Sequence, residues 1–282
     1  MSLIDQSPSL ITADYAASWQ TWRDDLEVLR NDPYGYLAYS AVFPLTDEPQ
    51  RFAGVPGTWS TSAAGPLVTL DAGETLTVGD EVVEGEHRFA PVREREFRRA
   101  AKSGDVVLEL SKRGGNDLLR PIDPLHELRS RYRSTPAFAP TDRWIIDGQF
   151  VPFDPPRDIF IDAAIDFITH THQAVGELVF EVDGAEQRLI VFSQNLAGDL
   201  TTPVEQGFTV FTDGTSGVTT YAASRTLAVA LPAGGGAVTL DFNRSRNLQC
   251  AYTPYAPCPL APAQNRLTVA IEAGEQIPII TD

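Results

Sequence analysis

The sequence predicts a mainly β protein: an N-terminal helix, then a small β-sandwich-like part, then a larger antiparallel β sandwich or barrel. Three observations predict it. One early stretch carries a helical apolar period, Tyr15, Trp19, Trp22, Leu26 and Leu29, at alternating spacings of four and three. Beyond Pro33 the apolar residues come in short runs broken by glycine, proline and aspartate, the punctuation of strands and turns. Hydrophobic residues make up 43% of the 282, enough to bury one face of each sheet in a sizeable core.

Thr12 or Ser9 caps the helix, and Asn31-Asp32-Pro33 ends it, because the residue before proline is biased away from helical backbone. Its stripe is expected to pack on the chain's own core. The first half then offers strands at 36–43, 67–70, 75–78, 86–92 and 106–110, while the arginine-dense 89–101 fits strand or helix. Residues 120–140 hold Pro121, Pro124, Pro136 and Pro140 and read as an irregular connector. They divide the chain into 1–120, helix plus small β domain, and 121–282, an antiparallel β domain. Strands in the second part are expected at 144–150, 159–168, 176–182, 188–193, 208–212, 226–231, 237–242 and 266–272. Asp183-Gly184 marks a hairpin, since glycine takes positive φ without steric cost, and Gly234-Gly235-Gly236 makes a second tight connection.

The formal charge of −16 argues against nucleic acid, whose binding rests on clustered cations. A segment from Arg88 to Arg133 is locally basic, with 12 basic against 7 acidic residues, and reads as a face docked on the acidic remainder or simply solvated. No apolar run approaches the ~20 residues that cross a bilayer. The first residues lack a basic region followed by an apolar one, so the expected location is cytoplasmic. There is no phosphate-binding glycine loop, G-x-S-x-G elbow or dinucleotide fingerprint, and no cofactor or oligomeric state is assigned.

The most informative stretch is 243–265, a proline-rich excursion between the apparent strands GAVTLDF and RLTVAIE. Loops beyond about 12–15 residues are uncommon in compact domains and are usually functional or disordered. Asp241 and Asn243, two apart, are expected on one strand face with Thr239, pinning the loop or meeting a ligand, and Arg244 offers a bidentate anion contact. Cys250 and Cys258 leave three readings open: inert packed thiols, a disulfide, or a thiolate made reactive by Arg244 or Arg246. Asp213, Tyr221 and Arg225 sit at strand ends, where they either orient a ligand or serve structure, Asp213 capping its turn and Arg225 pairing with a surface carboxylate; Asn265 closes the loop's far end. His170 and His172 share one face of a strand; an exposed face is expected there rather than a metal site, which would need further ligands.

The segments FTDGTSGVTTYAASRTL and VTLDFNRSRNLQCAYTPYAPCPLAPAQNRLTVAIEAGEQ resemble the bacterial and archaeal domain-of-unknown-function family numbered 1684. Asp213, Tyr221, Arg225, Asp241, Asn243, Cys250, Cys258, Asn265, Gly274 and Glu275 all match its pattern. Arg246 stands where the family has tyrosine, Leu248-Gln249 where it has Pro-Pro, and Gln276 where it has lysine. The resemblance implies no activity. The expectation is therefore a small-molecule-binding protein, its ligand carrying an anionic group, with a site formed by the 243–265 loop. The alternatives are an enzyme using Asp241 or Asp213 as general base at the same place, and a structural or partner-binding module.

Overall fold

The computed structural model describes residues 11–194 and 205–281. The opening helix, α1, spans Ala13–Asn31, and the Thr12 hydroxyl caps it by accepting from Tyr15 N–H at 3.1 Å. Ser9 lies outside the described residues. The stripe on α1 is only partly a core face. Leu26 and Arg30 are buried, Trp19 and Trp22 are half-buried, and Leu29 is exposed.

A six-stranded and a four-stranded antiparallel sheet follow. In spatial order the first holds Phe43–Leu45, Asn116–Ile122, Val106–Arg113, Phe97–Ser103, Leu76–Val78 and Glu81–Val83. The second holds Gln50–Arg51, Thr58–Ser60, Leu67–Thr69 and Glu86–Arg88. They share one core in which Trp59, stacked on Phe89 at 5.7 Å, meets Leu76, Leu108, Leu110 and Leu119. The arginine-dense stretch resolves as the strand Phe97–Ser103. The strand expected at 36–43 is instead a 3-10 turn, Tyr36–Ala38, because Tyr36 folds back onto the Tyr252 ring, 5.2 Å away. The proline-rich connector carries a short helix, Glu127–Arg131, and a strand, Tyr132–Ser134, paired with Ile279–Ile280.

A seven-stranded antiparallel sheet forms the second part: Gly236–Asp241, Ile145–Asp162, Thr169–Val182, Ala185–Ser193, Gln206–Phe211, Arg225–Ala230 and Arg246–Asn247, in that spatial order. Gly236–Asp241 and Arg225–Ala230 share the interior without a ladder between them, so the sheet curls toward a barrel. Inside lie Phe150, Leu178, Phe180, Leu189, Phe211 and Phe242. The two strands expected at 144–150 and 159–168 are one, Ile145–Asp162, whose register slips between Pro152 and Arg157, where the prolines cannot donate. His170 and His172 are buried, not exposed: His170 Nε2 donates to Pro257 O at 2.7 Å, and the His172 ring lies 5.5 Å from Phe192 and 5.7 Å from Phe208.

No strand forms at 266–272, although its alternating pattern is good. Side chains occupy the ladder positions it would use. Arg225 donates to Ile271 O and Ala273 O, Asp213 accepts from Ile271 N–H, and Gln187 accepts from Thr268 N–H. The segment plugs the barrel as irregular chain, with Leu267 and Ile271 in the core.

Candidate functional site

The 243–265 loop is held at many points. Its entry is pinned by Asn243, whose Oδ1 accepts from Thr141 N–H at 3.1 Å while Nδ2 donates to Thr141 O at 3.0 Å. Asp241 ends its strand and Asn243 sits in the 3-10 turn Phe242–Arg244, so the two do not share a strand face as expected. Asp241 turns instead to α1 and accepts from Tyr15 OH at 2.9 Å. Burial and that carboxylate raise the Tyr15 phenol to about 12. Arg244 donates to Asp241 and to Ser18 Oγ and lies over the Tyr15 and Trp22 rings; Trp19 Nε1 donates to Asn243 O. The aromatic stripe of α1 is thus a docking face for this loop.

Asp213 and Arg225 form a fully buried ion pair at 2.7 Å. The Asp213 carboxylate also accepts from Thr215 N–H, Thr215 Oγ1 and Ile271 N–H, and burial pulls Arg225 below its ordinary value. Asn265 replaces a missing stretch of ladder where two strands part: its Oδ1 accepts from Ile190 N–H at 2.7 Å, and its Nδ2 donates to Ile190 O, Thr209 Oγ1 and Val210 O. Tyr221 OH donates to Cys250 O at 2.8 Å. Cys250 N–H in turn donates to Cys258 Sγ at 3.2 Å, and both sulfurs are free thiols. Of the nine residues singled out by sequence, one, Cys258, lines the cavity described next.

That cavity measures about 460 Å³ and opens between the C-terminal half of α1, the turn Tyr36–Ala38, the sheet face bearing Arg99 and Glu109, and loop residues Arg246–Gln249. Aromatic rings of Tyr34, Tyr36, Tyr39 and Phe97 wall it. Behind the wall lies a buried polar network. Arg30, 2% exposed, donates to Glu275, 0% exposed, at 2.5 Å and to Glu27 at 2.7 Å. Glu275 Oε2 accepts from Asn247 N–H at 2.9 Å, fixing the loop segment that forms one side of the cavity. Gly274 is required beside it: at φ +72° an added Cβ would run into the Ser245 carbonyl. Across the cavity, Glu109 is paired with Arg120 and accepts from Tyr39 OH at 3.1 Å. Burial raises the Tyr36 and Tyr39 phenols to about 12, so both remain protonated donors at neutral pH.

With Arg30 and Glu109 neutralised, the charges left at the cavity are Arg99 and Arg246, opposed by Asp32. Among the described residues neither arginine has a carboxylate partner; Arg99 donates only to Tyr34 O. A larger depression, about 610 Å³, lies over Asp147, Glu181 and Glu186 on an open sheet face, and its lining carries three carboxylates and no cation. Sequence reasoning singled out the 243–265 loop, part of which borders this cavity, and did not single out Arg30, Tyr36 or Arg99. Arg30 lies four residues beyond Leu26 on the apolar stripe, which is where a buried cation could have been found.

A solution NMR structure of an uncharacterized protein of Haloarcula marismortui is 27% identical, over 52% of this chain and 78% of that one, with a TM-score of 0.43. No curated protein matches. The family described as a protein of unknown function, DUF1684, matches residues 130–276, a span that holds Asp213, Arg225, the loop and Glu275. The chain belongs to the DUF1684 family.

Proposed function

We propose that the protein binds a small molecule carrying a ring and an anionic group in the cavity between α1 and loop residues Arg246–Gln249. The observation that carries this reading is the pairing of aromatic walls with two arginines that have no carboxylate partner among the described residues. A volume of about 460 Å³ suits a drug-sized or smaller ligand, and ligand sites are concave, mostly apolar and fitted with few polar groups. Tyr36, whose oxygen accepts from Arg30 Nε, offers a phenol donor on one wall, and the guanidinium of Arg246 offers a planar fork to a carboxylate or phosphate. Three of the sequence candidates support the site from outside: Asp241 and Arg244 lock the loop's entry to α1, and Asn243 locks it to Thr141.

Nothing in the geometry favours the general-base reading. Asp213 is buried and its oxygens are taken by Arg225, Thr215 and Ile271, while Asp241 faces Tyr15 and Arg244. A thermal-shift screen of small aromatic carboxylates and phosphate esters tests the proposal. Ligands at one hundred times their Kd should stabilise the protein by about 2.7 kcal/mol, and Arg246→Glu should abolish the shift. A screen in which every hit shifts Arg246→Glu equally would reject the site.

A further inference from the structure

The two thiols have no task in the ligand reading, yet their setting is that of a reactive pair. Cys250 is half-buried and Cys258 is buried. The Cys250 amide touches Cys258 Sγ at 3.2 Å, so the Cys250 Cα lies within about 4.7 Å of that sulfur, one N–Cα bond further. Both backbones are anchored: Tyr221 OH holds Cys250 O, and Cys258 O accepts from Ala164 N–H at 2.8 Å. Closing a bond between the sulfurs therefore needs side-chain rotation, with no large movement of chain.

We propose that Cys250 and Cys258 form a reversible dithiol–disulfide site whose oxidant is a low-molecular-weight disulfide. The roles follow from position. Cys250 reaches solvent and is the attacking thiol; Cys258, behind it, resolves. Their mutual influence acts in the same direction: the neighbouring Cys258 draws Cys250 below the ordinary thiol value, while the neighbouring Cys250 and burial push Cys258 up. In the first step the Cys250 thiolate attacks one sulfur of the oxidant, an S–S bond forms to the protein, and the second sulfur leaves as a thiolate. Cys258 then gives up its proton to solvent and attacks Cys250 Sγ, releasing the second small thiol. Two protein thiols are oxidised by two electrons, and one small disulfide becomes two thiols. The ring so closed contains Tyr252, whose ring lies under the Arg30 guanidinium at 5.2 Å, so the bond would stiffen the wall behind the cavity.

The site stands whether or not the cavity takes a ligand, because its test counts thiols. The full chain is incubated with oxidised glutathione, alkylated, and weighed intact. Wild type should lose both alkylatable thiols and two hydrogens, keep no glutathione, and recover on reduction. Cys258→Ser should stop with one glutathione attached, and Cys250→Ser should react at least about tenfold more slowly. Should either variant fail to fold by circular dichroism, the wild-type mass decides alone. Two alkylatable thiols persisting in wild type, or a stable glutathione adduct on it, would overturn the proposal, as would Cys250→Ser reacting at the wild-type rate.

Discussion

Glu275→Gln is the most revealing single change to the scaffold of the cavity. It removes one charge from a pair in which Arg30 is 2% and Glu275 0% exposed, at 2.5 Å. Breaking a buried ion pair from one side costs about 3–5 kcal/mol, because an unpaired charge is left in the interior. Arg30 retains Glu27, whose side chain is 30% exposed, so the lower end of that range is expected, about 3 kcal/mol. At roughly 2–4 °C per kcal/mol for a chain of this size class, Tm should fall by about 6–12 °C. Arg30→Met alone should cost a similar amount by stranding Glu275. The double variant should cost less than the sum by about 2 kcal/mol, since contacting charges couple by up to about 3 kcal/mol. Urea unfolding of the four proteins measures the cycle. Additive losses, or a Glu275→Gln protein within about 0.5 kcal/mol of wild type, would refute the role given to this pair.

Asp213→Asn should cost about 3–5 kcal/mol in urea unfolding, since Arg225 would lose its paired carboxylate in a fully buried setting; a loss below about 1 kcal/mol would show that the carbonyls of Ile271 and Ala273 suffice to hold it. Asn265→Ala strips partners from Ile190 N–H, Ile190 O and Val210 O, and should destabilise by at least about 2 kcal/mol. Burial, then Arg95, lowers His172 from 6.5 to about 3, so the unfolded chain takes up this proton first. The associated stability is present above pH 6.5 and is lost as pH falls toward 3, on the order of 3–5 kcal/mol when complete. His172→Leu, which cannot titrate, should flatten that part of the pH profile of unfolding.

The helix, most strands and the irregular path of the 243–265 loop were legible because each rests on local signals. The apolar period set α1, the prolines of the loop set its irregular path, and Asp183-Gly184 set its hairpin. What failed rests on contacts between distant segments. The 266–272 pattern alternates well, but Arg225 and Asp213 take its backbone groups, so no ladder forms. His170 and His172 looked like an exposed pair because the covering rings, Phe192 and Phe208, lie on other strands. Asp241, Asn243 and Arg244 drew notice as a polar cluster at a strand end. Their partners, Tyr15, Thr141 and Ser18, lie about 100 residues or more away in sequence, and no local rule reaches that far. The cavity itself is built from α1, the first sheet and the loop together, and no one segment announces it.

A crystal structure of the protein with a small aromatic carboxylate or phosphate ester taken from the thermal-shift screen bears most directly on the central claim. The ring should lie among Tyr34, Tyr36 and Phe97 with its anionic group at Arg246. Density for the compound at another place on the molecule, with this space filled only by solvent, would contradict it.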